Sequence, residues 1–142
     1  MRLVRRRHTS AERRLASALR KSGLVFKTHK LVFGCTPDIL FVKTRVAVFV
    51  DGDFWHGRLL IDRGHRALAR SFRVEVREFW VAKIERNARR DARQARQLRR
   101  NGWAVVRLWE KDVLRDVGGA VLAISRRVHT RRIKLKLPRG AF

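Results

Sequence analysis

Residues 46–57 read V-A-V-F-V-D-G-D-F-W-H-G, and this stretch determines the predicted fold. Its first five residues are all apolar, and three of them are valines. A continuous β-branched run of this length is typical of a strand that is buried on both faces. The run stops at Asp51-Gly52-Asp53, so the strand is expected to end there. A strand of this kind needs neighbouring strands and a layer of helices on each side.

Three further strands are predicted around it. Residues 24–30 and 38–42 form two of them, separated by the turn G-C-T-P at 34–37, and W-A-V-V-R-L-W at 103–109 forms the last. The first three strands are expected to pair as a meander, and the last to join the sheet after a helical crossover. This order predicts an α/β fold with a mixed central sheet flanked by helices.

Three helices are predicted from apolar residues that recur at helical spacing. The first begins at Thr9-Ser10-Ala11-Glu12 and ends at Gly23, the second spans 78–100, and the third spans 112–128. Residues 57–76 show little periodicity and are expected to form a loop with short pieces of structure.

The 142 residues suit a single domain, and their charge is strongly positive. Lys and Arg number 36 against 12 Asp and Glu, which gives a net charge of +24. This surplus favours a polyanionic partner, and double-stranded DNA is favoured over an anionic membrane surface or a role in solubility alone. The tail from about residue 126 is basic and is expected to be loosely ordered.

The sequence also predicts where the protein works. No apolar run is long enough to span a membrane, and no apolar segment follows the basic start, as a secretory signal would require. The single cysteine, Cys35, excludes an intramolecular disulfide and indicates a reducing compartment. We expect a cytoplasmic, bacterial-type protein that acts on the nucleoid as a monomer, with no membrane partner.

Aspartates lie at the start of one predicted strand and just after the end of the next. Asp38 starts one strand, and Asp51 and Asp53 lie just past the end of the next. If adjacent strands bring them to one sheet edge, they offer the hard oxygen ligands that Mg²⁺ prefers. His56 lies close behind and can take a proton from water near neutral pH.

Each of these residues also has a simpler interpretation. Asp38 after Pro37 fits turn chemistry, Asp51-Gly52 is a common hairpin signal, and a single histidine such as His56 is often structural. Turns alone do not account for P-D, a buried strand and D-G-D-F-W-H-G within twenty residues. The combination therefore favours a catalytic site.

Several segments resemble the very-short-patch-repair (Vsr) endonucleases. They are T-S-A-E-R-R-L-A, P-D-I-L-F, V-A-V-F-V-D-G-D-F-W-H-G, E-F-W-V-A-K-I-E-R-N-A-R-R-D and G-W-A-V-V-R-L-W-E, in that order. The resemblance covers about residues 9–110 and fails between about 58 and 76. It implies a restriction-endonuclease-like fold of the PD-(D/E)xK superfamily and an enzyme that nicks DNA beside a T:G mismatch with Mg²⁺.

The resemblance also implies roles for single residues. Asp38 is the main metal carboxylate, the backbone carbonyl of Val50 is the second protein ligand, and His56 is the general base. Glu12 matches a carboxylate near the active site, although a capping box explains it equally well. Asp51 stands where the best-known members carry His and could join the metal instead.

The DNA-facing residues implied by the resemblance come from two segments. Phe54 and Trp55 match aromatic rings that wedge into the duplex, and Trp80 fits a third ring, with packing in the core as the alternative. In the second predicted helix, the resemblance implies that Lys83, Asn87 and Arg90 face DNA, and the net charge of +24 favours phosphate contact for the arginine stripe with Arg86, Arg89 and Arg93. A solvated helix face is the simpler interpretation of the arginines. Asp91 is expected to pair with a buried arginine.

The resemblance breaks down at a structural zinc site that many Vsr proteins hold. The corresponding positions read Gly57-Arg58-Leu59-Leu60 and Lys111 here, so we expect no zinc. Two other functions stay open from the sequence: a homing, mobile-element or defence nuclease with another specificity, and a non-catalytic DNA-binding domain. The retained carboxylates and His56 argue against the second.

Overall fold

The computed structural model describes residues 9–139, which are built around one four-stranded sheet. The strands lie in the order β1 (Lys27–Thr28), β2 (Ile39–Phe41), β3 (Val46–Asp51) and β4 (Ala104–Trp109). β1 to β3 pair antiparallel, and β4 lies parallel to β3. This confirms the predicted meander and the predicted crossover to the last strand, although β1 is much shorter than expected.

Six helices surround the sheet within the described residues. They are α1 (Ser10–Lys21), α2 (Arg58–Arg63), α3 (His65–Arg70), α4 (Val74–Arg100), α5 (Glu110–Arg115) and α6 (Val117–Lys134). None of these helices combines the length and the apolar character that crossing a membrane requires.

Strand β3 is buried along its whole length, as its sequence predicts. Val46, Val48 and Val50 pack into an apolar core shared with α1, α5 and α6. Ala47 and Phe49 point the other way, into a second core that α4 helps to form. Because side chains alternate along a strand, one apolar run supplies both cores. The predicted α/β architecture with helices on both faces is confirmed.

Residues 57–76 contain the short pieces of structure that were expected there, but they are more regular than a loop, since they include α2, α3 and the start of α4. Each of the two short helices has six residues, and Gly64, with a φ of 85°, separates them. Their inward residues, such as Leu60 and Leu68, pack on Ile84 in a small third core. Helices this short do not repeat long enough for their periodicity to show in the sequence.

The C-terminal part also differs from its prediction. The third predicted helix is broken into α5 and α6 at Asp116, whose side chain accepts a hydrogen bond from the Gly119 amide at 2.9 Å. The tail expected to be loosely ordered from residue 126 is helical to Lys134, and Val128 on that stretch is fully buried.

Arg131 anchors the end of α6 to the sheet. Its guanidinium is buried and donates from Nε to the Thr44 carbonyl at 3.3 Å and from NH2 to the Gly102 carbonyl. Those two carbonyls lie in the turn between β2 and β3 and in the turn between α4 and β4. A single basic residue in a basic tail therefore serves as a structural donor, which composition cannot reveal.

The first prediction concerns this anchor. Arg131→Ala should lower the free energy of unfolding by about 2–3 kcal/mol, because the buried Thr44 carbonyl and the Gly102 carbonyl both lose a charged donor. The matched control is Arg126→Ala, which removes the same charge from an exposed position of the same helix and should change stability by less than about 0.5 kcal/mol. Urea denaturation measures both, and equal effects would contradict the anchoring role.

Candidate active site

The loop that joins β3 to α2 carries most of the predicted site residues. It turns back on itself through a hydrogen bond from the His56 amide to the Gly52 carbonyl at 3.1 Å. Gly57 ends the loop with a φ of 72°, and a Cβ atom there would lie 2.9 Å from Ile84 of α4. The Asn87 side chain, also on α4, donates to the Trp55 carbonyl at 3.0 Å. The loop is thus held closely against α4.

His56 is oriented by Asp91 of α4. The His56 Nδ1 atom lies 2.5 Å from Asp91 Oδ2, and both side chains are largely buried. Burial by itself raises the pKa of Asp91, but the hydrogen bond from His56 and the positive charges of His56, Arg107 and Arg90 bring the pKa below its usual value. Asp91 is therefore a carboxylate that fixes the ring through Nδ1 and leaves Nε2 as the nitrogen for proton transfer.

Asp91 was expected to pair with a buried arginine, and the structure gives it a histidine as its main partner. Arg90 NH2 lies 3.4 Å from Asp91 Oδ1, but Arg90 is about half exposed, and the more buried Arg107 binds the Asp91 backbone carbonyl rather than its carboxylate. Sequence spacing did not indicate the pairing, because His56 and Asp91 are 35 residues apart and meet only through the packing of the loop on α4.

Asp51 lies beside this histidine and is held by β4. Its Oδ2 atom accepts a hydrogen bond from Arg107 NH1 at 2.8 Å, and its Oδ1 atom is 3.6 Å from His56 Nδ1. Arg107 also donates to the Asp91 backbone carbonyl at 3.2 Å and stacks over the Phe49 ring at 4.2 Å. One arginine therefore binds both aspartates that face His56, one through its carboxylate and the other through its backbone.

A second polar group lies at the start of β2. Glu12, His29 and Asp38 each offer a ligand atom, and these atoms all lie within 4.8 Å of one another. Glu12 Oε2 is 3.5 Å from His29 Nε2. Asp38 is buried, and its Oδ2 atom accepts a hydrogen bond from the Val50 amide at 2.7 Å. This donor set could hold a divalent cation.

Glu12 was given two possible roles, as a carboxylate near the active site or as part of a helix capping box, and its contacts bear on both. The Thr9 hydroxyl accepts a hydrogen bond from the Glu12 amide at 3.3 Å, so Thr9 caps α1 as predicted. The Glu12 carboxylate lies beside His29. Sequence analysis did not single out His29, because no motif contains it and only the pairing of β1 with β2 brings it to Asp38.

The three aspartates expected to converge are separated in the structure. Asp38 groups with Glu12 and His29, whereas Asp51 points toward α4 and Arg107. Asp53 points toward α5, where it accepts a hydrogen bond from the Lys111 amide at 3.4 Å. Asp53 departs because β3 ends at Asp51 and the chain then turns, so the alternation of strand side chains no longer sets the direction of the Asp53 side chain.

An aromatic cluster borders the loop. Phe54 contacts Trp55 and Trp80 edge-on, with ring centres 4.9 and 5.7 Å apart, and Phe72 and Phe79 extend the cluster. Phe54 is 47% exposed, and the two tryptophan side chains are half-buried. The rings therefore lie outside the two cores of the sheet and form part of the surface beside His56.

The basic residues of α4 lie in two environments. Lys83 lies against the aromatic cluster, with its ammonium group 5.5 Å from the Trp55 ring centre. The neighbouring Asn87 side chain donates its hydrogen bond to the Trp55 carbonyl. The arginines expected to face DNA are exposed; they are Arg86, Arg89, Arg90 and Arg93. Asn87 therefore has a positioning contact within the protein, while the arginines present positive charge to the surroundings.

Comparison with known proteins identifies the family. The sequence model described as DNA mismatch endonuclease Vsr matches residues 1–61. A type II nicking enzyme of Neisseria meningitidis serogroup C is 43% identical over 112 residues, which cover 76% of this chain and 69% of that enzyme. A type II nicking enzyme of Haemophilus parainfluenzae is 35% identical, over 89% of this chain and 85% of its own length.

Further comparisons agree with these. The DNA mismatch endonuclease Vsr of Escherichia coli (strain K12) is 34% identical over 78% of this chain and 66% of its own length. The catalytic domain of a homing endonuclease superposes with a TM-score of 0.58 at 21% identity, covering 87% of this chain and 98% of that domain. The structural likeness confirms the predicted restriction-endonuclease-like fold. With the sequence relatives, it shows that this chain belongs to the Vsr family of endonucleases.

Proposed function

We propose that this endonuclease nicks one strand of double-stranded DNA with Mg²⁺ and that it acts at mismatched base pairs. The observation that carries the proposal is the presence of two different polar groups at the ends of β2 and β3. The Asp38 carboxylate accepts a hydrogen bond from the Val50 amide. Asp51, which directly follows Val50, has its Oδ1 atom 3.6 Å from His56 Nδ1. A cation-binding group and a proton acceptor are thereby held side by side, one on each side of the end of β3.

The group formed by Glu12, His29 and Asp38 suits a hard cation. Two of its three members are carboxylates. The Val50 carbonyl, a ligand that the resemblance to the family implies, would add a backbone oxygen of the kind Mg²⁺ prefers. Glu12 comes from α1 and Asp38 from the start of β2, so two elements fix the group. A bound Mg²⁺ would polarise the scissile phosphate and stabilise the leaving oxygen.

The chain itself supplies the proton acceptor. With Nδ1 engaged by Asp91, His56 can take a proton at Nε2 from an attacking water. The water oxygen bonds to phosphorus, and the bond from phosphorus to the leaving oxygen breaks. The leaving oxygen takes a proton from solvent, and His56 returns the proton it accepted to solvent. Asp91 stabilises the imidazolium that forms meanwhile, because its carboxylate has a lowered pKa and is charged near neutral pH.

The aromatic cluster supports the proposed preference for mismatched base pairs. Relatives of this chain are described as nicking enzymes and as a mismatch endonuclease. Inserting rings such as Phe54 into a duplex costs the unstacking of a base step, and a mismatched step is easier to open. The exposed arginines of α4 and the net charge of +24 support binding to phosphates on either side. A DNA substrate also agrees with the cytoplasmic location expected from the sequence.

The metal group generates a second prediction. Asp38→Asn should reduce nicking of supercoiled plasmid in Mg²⁺ by about 10²–10³-fold, because the transition state loses an electrostatic contact. DNA affinity should stay close to that of the wild-type protein. The matched control is Glu75→Gln, an exposed carboxylate at the start of α4 that should leave nicking unchanged. If Asp38→Asn nicks at the wild-type rate, or if the wild-type protein nicks in excess EDTA, the proposed role of this group in metal binding is refuted.

The histidine pair generates a third prediction. Asp91→Asn should lower the single-turnover nicking rate by about 10²–10⁴-fold, the range found for general acid–base groups, because the ring loses its orienting carboxylate. DNA affinity and Mg²⁺ affinity should change little. His56→Ala should have at least the same effect, and the double variant should be no slower than His56→Ala. Additive losses in the double variant would show that the two residues act independently.

The ring cluster generates a fourth prediction. Phe54→Ala should reduce the ratio of nicking rates on T:G and fully matched duplexes toward one, because the wedge then no longer senses how easily a step opens. The matched control is Phe33→Ala, since Phe33 is exposed to a similar extent at 42% but lies on the connection between β1 and β2. A preserved ratio in Phe54→Ala would mean that the ring does not select the substrate.

A further inference from the structure

The catalytic loop has a second attachment, on the side away from α4. Arg58 is the first residue of α2, directly after Gly57, and its guanidinium faces three carboxylates. We propose that Arg58 is a positioning residue that clamps the loop carrying Phe54, Trp55 and His56 to the junction of β4 and α5. This inference rests on the proposed function, because the roles of those loop residues are assigned there.

The contacts of Arg58 have the geometry of a fork. NH1 and NH2 each lie 3.0 Å from one oxygen of Asp112, which is a bidentate pair. Nε lies 3.3 Å from Asp62 within α2, and the guanidinium is 5.6 Å from the centre of the Trp109 ring. A planar guanidinium can make all of these contacts at once, whereas the ammonium of a lysine cannot.

Asp53 connects this fork to the loop. Its Oδ2 atom is buried, has no hydrogen-bond partner among the described residues and lies 3.6 Å from Arg58 NH1. Its Oδ1 atom accepts from the Lys111 amide, and its backbone carbonyl accepts from the Arg58 amide at 3.0 Å. Arg58 is thus the cation beside a buried carboxylate of the loop, and the loop depends on it for charge compensation.

The clamp joins parts of the chain that are far apart in sequence. Asp53 and Arg58 follow β3, whereas Trp109 is the last residue of β4 and Asp112 lies in α5, 54 residues after Arg58. On its other side, the loop is held to α4 by Asn87 and Asp91. Isolated exposed ion pairs contribute little, but a bidentate pair that also neutralises a buried carboxylate can fix a loop. A displacement of His56 by about 1 Å can cost about 10²-fold in rate.

The test compares Arg58→Ala with Arg63→Ala, an exposed arginine of the same helix, so that both variants lose one positive charge. Hydrogen exchange of the amides of residues 52–58 is measured without DNA and without added metal. Arg58→Ala should speed this exchange by about 10-fold or more and leave the amides of β4 unchanged. Its nicking kcat should fall by about 10–10²-fold, while KM changes no more than in Arg63→Ala.

Two further arms keep the clamp falsifiable. Raising the salt concentration should speed exchange of residues 52–58 in the wild-type protein, whereas EDTA should not, because the clamp is ionic and holds no metal. If Arg58→Ala does not fold, Asp112→Asn removes the bidentate partner alone and should speed the same amides by a smaller factor. Arg58→Lys should restore only part of the protection.

Several results would contradict the proposal that Arg58 clamps the loop. Equal exchange and equal kcat in Arg58→Ala and Arg63→Ala would show that Arg58 is only a surface ion pair. A rise in KM in Arg58→Ala alone, with protection intact, would make it a DNA contact. Faster exchange after EDTA would show that a metal holds the loop. If the wild-type protein does not nick DNA, the proposed function fails, while the exchange data still decide the clamp.

Discussion

The burial of β3 on both faces is the constraint on which the rest of the molecule depends. Its side chains supply two separate cores, so the strand cannot shift by one residue without exchanging them. That fixed register sets where Val50 and Asp51 lie. The Val50 amide then binds Asp38, and Asp51 meets Arg107 and His56. The chemistry is therefore arranged by the end of one strand.

Negative charge is scarce in this protein and is concentrated around the site. Only 12 residues are Asp or Glu, against 36 Lys and Arg. Seven of the 12 lie in the two polar groups or in the Arg58 clamp; they are Glu12, Asp38, Asp51, Asp53, Asp62, Asp91 and Asp112. Each of the last five lies within 4.0 Å of an arginine or histidine. A strongly basic surface for DNA can thus coexist with a carboxylate-rich interior site.

The sequence was informative where a pattern repeats and where a motif is contiguous. It predicted β3, the strand order and the α/β class, because a continuous apolar run has few other solutions. It indicated short pieces of structure within residues 57–76 but not the helices α2 and α3, which are too short to show a period, and it did not predict the break at Asp116. It also missed His29 and the pairing of His56 with Asp91, because these contacts join residues that are distant in sequence. Likewise, Arg131 and Arg58 could not be told from the surrounding surface arginines by composition.

The central claim is that the cation-binding group and the proton acceptor are separate, with the end of β3 between them. Mn²⁺, a substitute for Mg²⁺ with anomalous scattering, can locate the cation directly in crystals of the protein. The account predicts one anomalous peak beside Asp38, within reach of Glu12, and none beside His56. A peak enclosed by Asp51, His56 and Asp91 would contradict it, because a histidine bound to the metal could not also accept the proton.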